Sequence, residues 1–226
     1  MPIPLRALAI AVSLALPATA HAARSAGFDT GNDGWSVVDF VTSNQYAAPD
    51  ASYTPNHLAA GGQSGGYIDF ADPSNGSFFF SAPGSFLGNL TPYYGGTLSY
   101  AQKVTVAPGF SQWRDDPDVV MVVNNQAYVY QSAANPGSDW TQYTVPLSET
   151  GWHKGSLNGA LVSQSEFLGA LPNVVALYVR GEYIAGVVET TGLDNVSIAA
   201  VPEPESYAMM LAGLGLLGVA WRKRRG

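Results

Sequence analysis

The sequence predicts an all-β domain folded as a two-sheet sandwich, with one short helix and a separate hydrophobic helix at the C-terminus. Three observations carry this. Short runs rich in β-branched and aromatic residues recur along the body of the chain. Clusters of Gly, Pro, Asn and Asp separate them, as in Asp72-Pro73-Ser74-Asn75-Gly76 and around Asn135-Pro136-Gly137. A single internal stretch has helical spacing, and many short strands with one short helix suit two packed sheets.

In chain order the strand-like runs are Trp35–Val41, Gly66–Phe70, Ser77–Ser81, Thr97–Val106, Val119–Val123, Gln126–Gln131, Thr141–Pro146, Val174–Arg180 and Leu193–Ala199. The sequence Val122-Val123-Asn124-Asn125-Gln126-Ala127-Tyr128 reads as a hairpin, because Asn tolerates the left-handed conformation that tight hairpin turns need. The helix is placed at Ser163–Leu171. Phe167, Leu168 and Leu171 share a face there, Ser163 is the cap, and Glu166 stands at capping-box spacing.

The two ends have a different grammar. Arg6, the apolar run 7–16, Pro17 and the small residues up to Ala22 form a signal peptide over residues 1–22. Ala20 and Ala22 take the −3 and −1 positions that signal peptidase requires to be small, so the mature chain starts at Ala23. The run is too short for the roughly 20 residues of a membrane span. At the other end, Pro202-Glu203-Pro204 precedes the uncharged segment 207–221 and the cluster Arg222-Lys223-Arg224-Arg225. The cations stay cytoplasmic under the positive-inside bias, which leaves the body of the chain on the far side of the inner membrane. By itself this pattern describes a plain tail anchor. With its tripeptide, the segment 201–226 closely resembles the PEP-CTERM sorting signal of Gram-negative bacteria. The resemblance implies an exosortase-type transpeptidase as partner, transient inner-membrane anchoring, removal of the helix and basic tail, and a final place at the cell surface or in the extracellular matrix.

Between these ends the charge is strongly acidic. Of the 10 cations and 17 carboxylates in the chain, Arg6, the four tail cations and Glu205 fall outside 23–204, which leaves a net charge of −11. Such a surface repels phosphate backbones, so nucleic acid is a poor partner, whereas divalent cations and neutral glycans suit it. The chain has no cysteine, which excludes disulfides, thiolate nucleophiles and Cys-based zinc sites.

The body carries a second resemblance. Phe79-Phe80-Ser81-Ala82-Pro83, Phe86-Leu87-Gly88-Asn89, Tyr94-Gly95-Gly96-Thr97-Leu98-Ser99-Tyr100 and Asp118-Val119-Val120 follow one another in the order of a laminin B (laminin IV type A) domain. Trp140-Thr141-Gln142-Tyr143, Gly151-Trp152, Phe167-Leu168, Arg180-Gly181-Glu182-Tyr183 and Leu193-Asp194-Asn195-Val196 continue it. The resemblance implies a jelly-roll-like β-sandwich over 26–199, similar to carbohydrate-binding modules and non-catalytic. Laminins set this domain among cysteine-rich repeats, which are lacking here, so laminin's matrix partners do not carry over. Read simply as structure, Gly95-Gly96 and Gly181 serve close backbone approach, and Phe79, Phe86, Leu98 and Tyr100 fill the core. Arg180, alone among apolar neighbours, is expected to pair with Asp194 or Glu182.

No catalytic residue stands out. After signal cleavage only His57 and His153 remain, neither with a companion at triad or metal-ligand spacing. A hydrolase needs only two carboxylates on a cleft, so that alternative stays open. The segment Asp29-Thr30-Gly31-Asn32-Asp33-Gly34 fails as an EF-hand loop, since Gly31 and Phe40 occupy ligand positions. Sandwiches of the resembled type hold a structural Ca2+ where the first strand meets the last, which makes Asp29 and Asp194 the candidate metal ligands. The competing reading makes both of them turn residues in water. No ligand-binding residue is assigned, although Tyr53, Tyr93, Tyr94, Trp113 and Trp152 lie in loops from which an aromatic ring can stack on sugar. The expectation is a non-enzymatic surface or matrix protein that binds glycan or protein in an exopolysaccharide or biofilm matrix. A module that captures an external polysaccharide is the alternative.

Overall fold

Side chains alternate across an extended chain, so strands with apolar residues on alternate positions must face a second layer. The computed structural model describes residues 21–41, 46–106, 113–201 and 213. It places thirteen strands: β1 (Arg24–Ala26), β2 (Ser36–Phe40), β3 (Ala51–Tyr53), β4 (Asn56–Leu58), β5 (Tyr67–Ala71), β6 (Ser77–Ser81), β7 (Thr97–Thr105), β8 (Val119–Val123), β9 (Gln126–Tyr130), β10 (Thr141–Pro146), β11 (Trp152–Lys154), β12 (Ala176–Arg180) and β13 (Thr190–Ala199). The one α-helix, α1, spans Gln164–Ala170. The signal peptide up to Ala20, the motif Pro202-Glu203-Pro204 and, Gly213 aside, the expected C-terminal helix lie outside the described residues. Among those described, no helix is long and apolar enough to cross a membrane.

All pairings are antiparallel. One sheet runs β10-β7-β13-β5-β4, with β1 also on β13, and the other runs β11-β9-β8-β12-β6-β2-β3. The nine expected strands are all present. The four additional ones, β1, β3, β4 and β11, have three residues each, too few to show a period in the sequence. Asn124 and Asn125 both have positive φ (50° and 62°) and turn the chain tightly between β8 and β9, as the Asn-Asn pair predicts. The capping box on α1 is closed in both directions between Ser163 and Glu166.

The core between the sheets contains Trp35, Phe78, Phe80, Phe86, Leu98, Tyr100, Trp152 and Phe167. The second sheet is apolar on both sides. Phe79, expected in the core, alternates away from Phe78 and Phe80 and joins Val38, Phe40, Val120, Val122 and Tyr178 in a separate buried cluster, against which Tyr46 packs edge-on. At Gly181 a Cβ would lie 2.0 Å from the Phe78 ring, and at Gly96 it would lie 2.0 Å from the Ala199 carbonyl. Close approach is therefore what both glycines provide.

Candidate functional site

The edge of β13 changes partner midway. β5 pairs with Thr190–Leu193 and β1 with Val196–Ile198, and the register against β7 is broken between Asp194 and Ser197. Asp194 and Asn195 occupy the break, with Asn195 at φ 50°. Asp29 follows β1 and reaches the same place. The loop Gly61-Gly62-Gln63-Ser64-Gly65-Gly66, which leads into β5, closes over both carboxylates.

Main-chain amides hold the carboxylates. Asp194 Oδ1 accepts from Asn195 N at 2.6 Å and Oδ2 from Ser64 N at 3.1 Å, while Asp29 Oδ1 accepts from Gly66 N at 3.4 Å. Asp194 is fully buried and Asp29 is exposed. Burial raises the Asp194 pKa, the amides of Ser64, Asn195 and Gln63 oppose that, and the charge of Asp29 raises it further. The two candidate ligands therefore do meet. The loop glycines, unmarked in the sequence reading, make the meeting possible. A Cβ on Gly65 would lie 2.1 Å from Asp29 Oδ1, and one on Gly62 would lie 2.6 Å from Asp194 Oδ2 and 2.3 Å from the Gly66 carbonyl. The doublets Gly61-Gly62 and Gly65-Gly66 were the available signal. Lys103 and Trp140 pin the loop from beneath, each donating to the Gly61 carbonyl (3.4 and 3.1 Å).

This donor set suits a hard cation. The two carboxylates are hard oxygen donors, while the neighbouring Phe28 carbonyl is engaged by His57 Nε2 at 2.8 Å and the Gly65 carbonyl by Gly62 N at 3.0 Å. Among the described residues no three acidic or histidine side chains converge at a metal-sized point, so a Ca2+ at Asp29 and Asp194 would need further oxygen donors.

Arg180 contradicts its expected pairing with Asp194. It is fully buried, bridging Nη1 to Asp118 Oδ1 at 3.3 Å and donating to the carbonyls of Arg114, Asp116 and Glu182. Glu182 accepts that bond through its main chain, and its carboxylate pairs with Arg114 at 3.0 Å. Asp118 lies nearer in space because β8 and β12 are hydrogen-bonded neighbours.

Of the aromatics expected in loops, Trp152 opens β11 and Tyr53 ends β3; Trp152 and Tyr93 are buried in the core, and Tyr94 is half-buried and bonded to Glu149. Tyr53 and Trp113 remain exposed, at 37% and 45%. Trp113 pairs as a bridge with Ile184 beside a groove of about 260 Å³, floored by Val104, Val106, Pro136 and Ile184 and edged by Thr105 and Ser138. His57 and His153 each bond a main-chain carbonyl, of Phe28 and Gly159 respectively.

The domain is a jelly-roll-like antiparallel β-sandwich. Its family is equally definite: the laminin B (domain IV) family model matches residues 79–209, more than half the chain, and the chain belongs to that family. The PEP-CTERM protein-sorting motif matches residues 200–225 and marks an exported, exosortase-sorted protein. The chain is 28% identical over 141 residues to the basement membrane-specific heparan sulfate proteoglycan core protein of Mus musculus. That stretch is 62% of this chain and only 4% of the proteoglycan. Among solved structures it is similar to the L4b domain of human laminin alpha-2 (TM-score 0.63, 16% identity, 80% of this chain and 98% of that one). The family 11 carbohydrate-binding module of the cellulosomal cellulase Lic26A-Cel5E of Clostridium thermocellum gives a TM-score of 0.50 at 13% identity, covering 82% of this chain and 98% of that one.

Proposed function

We propose that the mature domain is a non-enzymatic binding module of the cell surface or extracellular matrix, released from transient inner-membrane anchoring by an exosortase. It holds a neutral glycan of the surrounding exopolysaccharide. The observation that carries this reading is the exposed Trp113 beside the apolar groove. An indole and an aliphatic lining suit the C–H face of a sugar ring, and Thr105 and Ser138 bring hydroxyls to the same groove. The acidic body favours an uncharged sugar over a polyanion. A Ca2+ at Asp29 and Asp194 is structural in this account. The carboxylates with the raised pKa of a general acid, Glu182 and Glu189, are about 1% exposed, which supports binding over hydrolysis.

A glycan array with the mature protein tests the reading. Binding to neutral polysaccharide is expected, and Trp113→Ala should weaken it about tenfold or more, since losing one stacked ring removes on the order of 1–2 kcal/mol. Unchanged binding by that variant, or none across the array, overturns it. An exclusive preference for foreign polysaccharide favours the capture module, and reducing-sugar release would reinstate the hydrolase.

Processing has its own check. Intact mass of the protein from its native host should correspond to a start at Ala23 and the loss of everything after Pro204. Retention of Trp221 and the basic tail would leave a plain anchor.

A further inference from the structure

The segment 182–189 contributes Ile184 to the groove wall and is held from behind by its own two carboxylates. Ile184 lines the groove and bridges to Trp113, the Tyr183 carbonyl accepts from Arg114 N at 2.8 Å, and Val187 packs with Val104, Tyr183 and Ile184. Glu189 turns back so that its carboxylate receives the amides of Tyr183 and Ile184. Glu182 Oε1 accepts from Arg114. The second oxygen of each glutamate is sealed from solvent without a hydrogen-bond partner, and so are both oxygens of Asp39.

The charge around these groups does not balance. Glu182 faces Arg114 and Asp116 from the 113–118 segment, Asp72 from the turn after β5, and Glu189 from its own segment. Glu189 faces Arg180 on β12 and Asp72, and Asp72 faces Asp39 on β2 and Arg114. Arg180 is committed to Asp118, and Arg114 to Asp116 and Glu182. Asp39, Asp72 and Glu189 have no ion-pair partner within salt-bridge distance among the described residues. Burial, with this repulsion behind it, favours the protonated forms of Glu182, Glu189 and Asp72. A cavity of about 250 Å³, lined by Asp72, Ser74, Gly186, Val187 and Val188, lies beside the segment and gives it room to move.

We infer that Glu182 and Glu189 form a proton-operated latch on the groove wall: protonated, they keep the segment 182–189 seated, and ionised, they let it lift and take Ile184 out of the groove. Burial, ahead of the neighbouring charges, pushes Glu182 up to about 8 and Glu189 up to about 7 from an ordinary 4.5. Because the seated form holds protons that an open form releases, seating is fully favoured below the ordinary value. It weakens as pH rises from there and has lost this contribution above about 8.

The latch gives the proposed glycan groove a regulator and rests on that reading for its purpose. Its structure is tested without glycan. Hydrogen exchange of residues 183–188 in the mature protein, corrected for intrinsic rate, should show protection falling about tenfold or more between about pH 6 and about pH 9, as one or more units of proton linkage require. Glu189→Gln and Glu182→Gln should each reduce the fall, and the double variant should remove it. Equal protection at both pH values in the wild type overturns the latch, as does a pH dependence that survives in the double variant. The wild-type measurement decides even if the double variant does not fold. A segment that opens on schedule in a protein that binds no glycan keeps the latch and removes the glycan reading. A glycan-binding protein whose segment stays shut removes the latch alone.

Discussion

Arg180→Met is expected to lower the melting temperature of the mature protein by roughly 10 °C, the largest effect of any single substitution considered. Arg180 is fully buried. Its guanidinium binds Asp118 Oδ1 at 3.3 Å, donates to three main-chain carbonyls and lies 4.3 Å from the Tyr183 ring centre. Burial already raises the Asp118 pKa, with the Arg180 charge opposing that rise. Removing the cation leaves a buried carboxylate and three carbonyls short of a donor, a loss of about 3–5 kcal/mol for a broken buried pair. At about 2–4 °C per kcal/mol for a domain of this size, the melting temperature responds by the amount stated. Asp118→Asn is expected to destabilise less, since an amide still meets the guanidinium, and the double variant should fall short of the sum because the two side chains share one interaction. A loss under about 1 kcal/mol for Arg180→Met would contradict the described network.

Millimolar Ca2+ is expected to raise the melting temperature above its value in EDTA. Asp29 and Asp194 bring two carboxylates together under a glycine loop, and an ion bound only by the folded chain stabilises it by mass action. At 100 times the dissociation constant this amounts to about 2.7 kcal/mol, or roughly 5–10 °C. Asp194→Asn should shrink the rise by removing a ligand charge. The exposed Asp115, bonded to Gln131, serves as the control, and Asp115→Asn should leave the rise intact. Equal melting temperatures in calcium and EDTA, or equal behaviour of the two variants, would return both aspartates to the role of turn residues.

The layout of the chain could be read before any coordinates. Runs of five or more residues with β-branched and aromatic character announce their strands, since alternation needs that length to register, and three-residue edge strands such as β1 and β4 fall below it. The Asn-Asn turn, the Ser163–Glu166 box and the grammar of both ends are local signals of the same kind. Asp29 and Asp194 were placed together from the ends of the resembled sandwich, and they do converge. Three-dimensional packing alone settled the rest. Which side of a strand faces which layer put Phe79 in a second buried cluster and not between the sheets. Strand adjacency gave Arg180 to Asp118, 62 residues away in the chain, and denied it Asp194. The Gly61–Gly66 cover, the Trp113 groove and the orphaned oxygens of Glu182 and Glu189 arise where segments distant in sequence meet, and burial, desolvation and charge coupling exist only once they have met.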